Sequence, residues 1–136
     1  MRSAEFDYKE QDSAIFGKVK RPLIEMDVFS ESEKVWLPLY KVLADTGADI
    51  SILPRYIGKL IVADILEGRR INIRGIVPHS RIVCYIHALK LRVGSKEFKL
   101  PVAIAESDNV PIVLGRVSGL DIFNCSFNGK RIHMSW

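Results

Sequence analysis

No apolar run in this 136-residue sequence approaches the roughly 20 residues that a membrane helix needs. The first residues, MRSAEFDYKEQDS, contain no apolar h-region, so no secretory signal is expected. Two cysteines, Cys84 and Cys125, are too few for a disulfide framework and lack metal-ligand spacing. They read as small buried strand residues, no metal or cofactor is expected, and the location expected is cytoplasmic. One glutamine and four asparagines are few thermolabile amides, which fits a thermophilic source.

What is present describes a globular domain. Hydrophobic residues make up 48% and charged residues 26%, and this length buries a core without staples. The net charge of +4 raises nucleic-acid binding as a function class. The basic residues, however, alternate with apolar ones along the chain, as in Leu91-Arg92-Val93, which is the pattern of a solvated strand face. Aromatics are 9% and fall mostly in apolar runs, so a stacking platform for nucleic acid is not expected. The densest basic cluster is Arg69-Arg70 with Arg74.

The pattern along the chain is β throughout. Residues 1–13 are polar and mixed in charge, and read as a tail or a late-docking arm. Residues 14–136 read as one domain. Two apolar runs, Phe16 to Phe29 and Val35 to Ala44, flank a turn at residues 30–34. Pro38 inside the second places an edge, a bulge or a strand start there. RYIGKLIVADILEG has some helical periodicity, but Gly58 weakens it and a short turn or loop is expected. Ile71 to Ile86 reads as a hairpin with its tip in GIVPHS, followed by a second hairpin around Gly94. One or two helical turns are expected at Leu120 to Phe123. A last hairpin turns on Asn128-Gly129, a type I′ signal.

Within this pattern stands LADTGADISILP, residues 43–54. Asp-Thr-Gly alone is a turn former, and chance supplies it in a few per cent of chains of this length, roughly, at average composition. Its setting is unusual for a surface turn: Val42-Leu43-Ala44 leads straight in, and Ile50, Ile52 and Leu53 follow. A carboxylate carried toward the interior must be paired, hydrogen-bonded or protonated. Two carboxylates in contact solve this by sharing a proton, which splits their pKa values and supplies one base and one acid for hydrolysis by water.

The sequence here resembles the retropepsin-like aspartic proteases, the retroviral enzymes and their single-domain cellular relatives. The resemblance rests on Leu43 to Asp49 and on Ile112-Val113-Leu114-Gly115-Arg116, and coarsely covers residues 15–136. It implies a small closed β-barrel-like domain with a flap hairpin and one short C-terminal helix. Asp45 would be catalytic. Thr46 would hydrogen-bond to a partner's loop, and Gly47 would let the backbone approach carboxylate and substrate. Ala48 and Asp49 would contact substrate, and Gly75, Ile76, Val77 and Pro78 would form the flap tip over it. Leu114 and Gly115 would thread beside the catalytic loop, with Arg116 paired to Asp49. Viral flap tips are richer in glycine than this one, and Val117 stands where many cellular relatives have Asp or Asn.

The chain contains no second Asp-Thr-Gly or Asp-Ser-Gly. One motif on one short domain implies an obligate homodimer with Asp45 of each chain at a two-fold axis. The activity implied is an endopeptidase that cuts extended, apolar-flanked polypeptide, with no nucleic acid and no membrane as partner. The rival reading is a catalytically weak or inactive peptide-binding dimer of the same fold. The Lys130-to-Trp136 end is open to two readings, an interface strand or a last strand of the core.

Overall fold

The structure is a computed structural model that describes residues 2–74 and 80–136. In chain order its strands are β1 (Ser3–Asp7), β2 (Lys9–Ser13), β3 (Gly17–Arg21), β4 (Leu23–Ser30), β5 (Val35–Ala44) and β6 (Ser51–Leu53). Helix α1 (Arg55–Ile61) and a 3-10 turn at Ile65–Glu67 follow. Then come β7 (Arg69–Arg74), β8 (Arg81–Val93), β9 (Lys96–Ala105) and β10 (Ile112–Leu114). A second 3-10 turn (Leu120–Ile122), β11 (Asn124–Phe127) and β12 (Arg131–Ser135) end the chain.

Six strands close into a barrel in the order β4-β5-β10-β6-β9-β8, and β8 returns to β4 through Asp27↔Arg92 and Val28↔Leu91. Strand β8 is long enough to serve twice. Its first half pairs with β7 from Arg69↔Ile86 to Arg74↔Arg81, and its second half helps to close the barrel. Ile24, Val28, Val42, Leu53, Leu89, Leu91, Val93 and Leu114 fill the interior with at most 1% exposure. Pro38 lies opposite Asp27, where β5 has β4 on one side, while β10 covers only residues 42–44. Pro38 therefore lies on a stretch of β5 with a strand on one side only, and the edge reading holds.

Ser3–Asp7 and Lys9–Ser13 are strands, an arm docked on the domain rather than a loose tail. β1 pairs with β12 from Ser3↔Ser135 to Asp7↔Arg131, and Ala4, Phe6 and Tyr8 pack on the core. β2 pairs with β3 in a separate two-stranded sheet. Alternation hidden among charged residues supplies the inward face of β1. β12 is the middle of a three-stranded sheet, β1-β12-β11, and its Ile132 and Met134 are fully buried. Trp136 meets Phe123 edge-on at 5.8 Å. Within this chain the C-terminal segment is thus a core strand.

Two local expectations change, at residues 55–61 and at Asn128-Gly129, while Leu120–Ile122 keeps to the one or two helical turns expected. Residues 55–61 form a helix, with Gly58 in its middle. A Cβ there would stand 2.3 Å from Ile104 Cγ2, so the glycine is what lets α1 lie against β9. The C-terminal helical element is a single 3-10 turn, because Phe123 must turn inward against Phe98 and β11 begins at the next residue. The Asn128-Gly129 turn is not type I′, since only Gly129 of the two has positive φ (83°). Instead the Asn128 side chain accepts from the N–H groups of Lys130 and Arg131 at 2.9 and 2.8 Å. No helix among the described residues is long and apolar enough to cross a membrane.

Candidate active site

The Asp-Thr-Gly loop is held by a crossed-strand arrangement. β5 delivers the chain to Asp45, the loop runs through residues 45–50, and β6 leaves it. β10 inserts between these two strands, parallel to β5 (Leu114↔Ala44) and antiparallel to β6 (Val113↔Ile52). The loop and residues 114–117 are then laced together by backbone bonds. Asp45 N–H donates to Leu114 O (3.1 Å), Arg116 N–H to Ala48 O (2.8 Å) and Val117 N–H to Asp49 O (3.0 Å).

Gly115 sits where the two segments touch. A Cβ there would lie 2.7 Å from the Ile50 carbonyl carbon and oxygen and 2.9 Å from Ala48 O. Its N–H donates to Ser51 Oγ at 2.9 Å, and Ser51 is 2% exposed. Ser51 was not singled out from the sequence. Its only signal is a hydroxyl at a buried position of the alternating run Ile50-Ser51-Ile52-Leu53.

The Asp45 carboxylate accepts the Gly47 N–H through Oδ1 at 2.9 Å. A Cβ on Gly47 would come within 3.2 Å of the same oxygen, so this approach favours glycine. Asp45 is half-buried, while Thr46 and Gly47 are exposed. The carboxylate is therefore not enclosed by its own chain, contrary to a reading of the apolar flanks alone. Those flanks bury Val42 and Ala44, and the loop itself emerges at the surface. The Thr46 hydroxyl has no hydrogen-bond partner among the described residues.

Arg116 does not make a bidentate pair with Asp49. Its Nη1 lies 4.0 Å from Asp49 Oδ1, while Nη2 is closer to Asp121 Oδ2 at 3.4 Å. The 3-10 turn after Gly119 carries Asp121 to the guanidinium, which a motif match does not anticipate. Asp49 is 85% exposed, so its pair with Arg116 contributes at most about 1 kcal/mol.

Beside the loop lies a small apolar cluster separate from the barrel core. Cys84, Ala103 and Ala105 are buried in it, and Ile50, Ile52, Ile71, Ile73, Ile82 and Val110 pack around them. Gly75, Ile76, Val77 and Pro78, the expected flap tip, lie outside the described residues, as does His79. The strands of that hairpin, β7 and β8, are present. Neither cysteine is set up as a nucleophile. Burial pushes both thiols above their ordinary pKa, with Glu106 adding to the effect at Cys84 and Asp121 at Cys125. Among the described residues no group of three or more His, Cys, Asp or Glu is placed to hold a metal.

No protein-family model and no curated protein matches the chain. Among solved structures, the chain is similar to a retropepsin-like aspartic protease from Rickettsia conorii. The match has 16% identity and a TM-score of 0.66, and covers 98% of this chain and 92% of that one. EIAV protease complexed with the inhibitor HBY-793 aligns at 22% identity over 76% of this chain and 86% of that one, with a TM-score of 0.44. The chain has the retropepsin-like fold.

Proposed function

We propose that this chain is an aspartic endopeptidase whose working form is a homodimer, with Asp45 of each protomer facing the other across a two-fold axis. One observation supports the reading: the Asp45 loop is open at the surface of the single chain. Its carboxylate is held by the Gly47 N–H yet half-exposed, and Thr46 beside it is exposed with no hydrogen-bond partner. A second copy would enclose the pair and offer each Thr46 the other loop. The similar structure from Rickettsia conorii, named an aspartic protease, supports the same reading.

Two carboxylates brought together cannot both ionise. The ionised one takes a proton from a water held between them while the protonated one polarises the scissile carbonyl. The water oxygen bonds to the carbonyl carbon and gives a tetrahedral diol. Its collapse breaks the C–N bond, with a proton passing to the leaving amine. Ala48 and Asp49 offer backbone to an extended peptide, and the Gly75 to Pro78 tip would close over it. The cluster of Ile50, Ile73, Ile82 and Val110 favours apolar side chains flanking the cut. A binding module of the same fold would use this cleft without turnover.

The test is the cleavage rate of an unfolded polypeptide, per mole of chain, over a dilution series. The rate should fall on dilution in step with the dimer fraction measured by sedimentation. A rate per chain that stays constant into the monomeric range would contradict the dimeric site.

A further inference from the structure

Five cations converge on the face of the β7–β8 hairpin turned away from the apolar cluster. Residues paired across an antiparallel ladder share a face, and along this one the pairs are Arg70↔Tyr85, Asn72↔Val83 and Arg74↔Arg81. The alternate residues Ile71, Ile73, Ile82 and Cys84 belong to the apolar cluster on the other face. Tyr85 also lines a groove of roughly 550 Å³ with Arg55 and Lys59 of α1 and with two carboxylates, Asp64 and Glu106. Glu106 continues into a neighbouring hollow lined by Arg81 and Val83.

Arg55, Lys59, Arg70, Arg74 and Arg81 are all exposed, and among the described residues none has an ion pair or side-chain hydrogen bond. Residues 75–79 carry no carboxylate that would pair with them. Charges on an edge strand guard against sheet-to-sheet pairing, and that role accounts for Arg70 and Arg74. It does not account for Arg55 and Lys59, which lie on a helix, while Arg81 stands on the two-stranded part of the hairpin, before β9 begins to pair with β8 at Cys84. Arg74 and Arg81 stand directly opposite each other, an arrangement that costs stability unless something neutralises it.

We infer that this face is a docking surface for an acidic, extended segment of polypeptide. The edge selects the class of partner. β7 is the terminal strand of its sheet, so one side of its backbone offers unpaired N–H and C=O groups that an added strand would satisfy. Carboxylates at alternate positions of that strand would meet Arg70 and Arg74. Single-stranded nucleic acid has no matching ladder, and Tyr85, at 8% exposure, gives bases no stacking surface. In the peptidase reading, on which this role rests, the segment is a part of the substrate remote from the cut. Cleavage would then favour polypeptides that carry an acidic stretch.

The experiment uses the full chain carrying Asp45→Asn, so that the probe is not consumed. A short fluorescein-labelled peptide alternating glutamate and threonine is titrated by anisotropy at low and moderate salt. A lysine–threonine peptide and an oligothymidylate strand serve as comparisons. The acidic peptide should bind best and release as salt rises. Arg70→Glu/Arg81→Glu and Arg55→Glu/Lys59→Glu, on separate elements and at unpartnered exposed positions, should each weaken it about tenfold or more. Equal binding of the acidic and basic peptides, or full affinity in both variants, would overturn the inference. Tighter binding of oligothymidylate would overturn it in favour of nucleic acid. Cleavage of a neutral unfolded polypeptide by wild type is measured separately. Its absence beside intact peptide binding would remove the peptidase reading and leave the surface standing.

Discussion

Asp45→Asn should lower the rate of peptide cleavage by about 10³-fold or more while leaving the fold and the dimer in place. The substitution preserves shape, and an asparagine Oδ1 still accepts the Gly47 N–H now received at 2.9 Å. What it removes is the ionisable group, and in a homodimer it removes both copies at once. Neither a base to take the water proton nor an acid to polarise the carbonyl remains. The association of the chains carries the opposite sign. Two carboxylates in contact must hold a proton between them or repel, and a pair of amides need do neither. The variant dimer should therefore be at least as tight as wild type. Cleavage mapped by mass spectrometry, beside sedimentation of both proteins, reads the two effects separately. Retained cleavage in the variant would take Asp45 out of the chemistry.

Gly115→Ala should lower stability by about 2–4 kcal/mol, because its new methyl group meets backbone rather than a mobile side chain. The contacts are the Ile50 carbonyl at 2.7 Å and Ala48 O at 2.9 Å, both in the loop that carries Asp45. No rotamer relieves them. Either the loop or β10 must move, and each is tied to the other through Asp45 N–H to Leu114 O and Gly115 N–H to Ser51 Oγ. For a domain of this size the loss corresponds to a fall in Tm of about 10 °C. Activity should fall further than the folded fraction, since the displaced segment positions the carboxylate. An unchanged Tm would mean that the crossing is looser than these distances require.

These two positions mark what was legible in the sequence. Asp45 and Gly115 stood out because apolar strands run directly into a turn-forming tripeptide and into an isolated glycine. Such local interruptions are visible without the fold. The strands alternate cleanly enough that the β7–β8 and β8–β9 hairpins also followed from pattern. Effects that depend on distant partners did not. Gly58 reads as a helix breaker until Ile104 is seen lying against it. Residues 3–7 look like a polar tail until β12 pairs with them and Phe6 turns inward. Asn128-Gly129 matches a type I′ turn by composition, yet the Asn128 side chain caps the loop instead. Arg116 was matched to Asp49 by motif, while the chain brings Asp121 closer. Half-exposure of Asp45 was hidden for a different reason. Apolar flanking residues report that a loop is anchored in the core, and not how deep its tip lies.

The central claim is that two chains contribute one Asp45 each to a single site. Wild-type chain is mixed with Asp45→Asn chain in equal amounts at fixed total concentration and left to exchange subunits before cleavage is measured. If one site needs both carboxylates, only the pure wild-type pairs work, and activity should settle at about one quarter of the unmixed value. A value of about one half, the result for chains that act independently, would contradict the account.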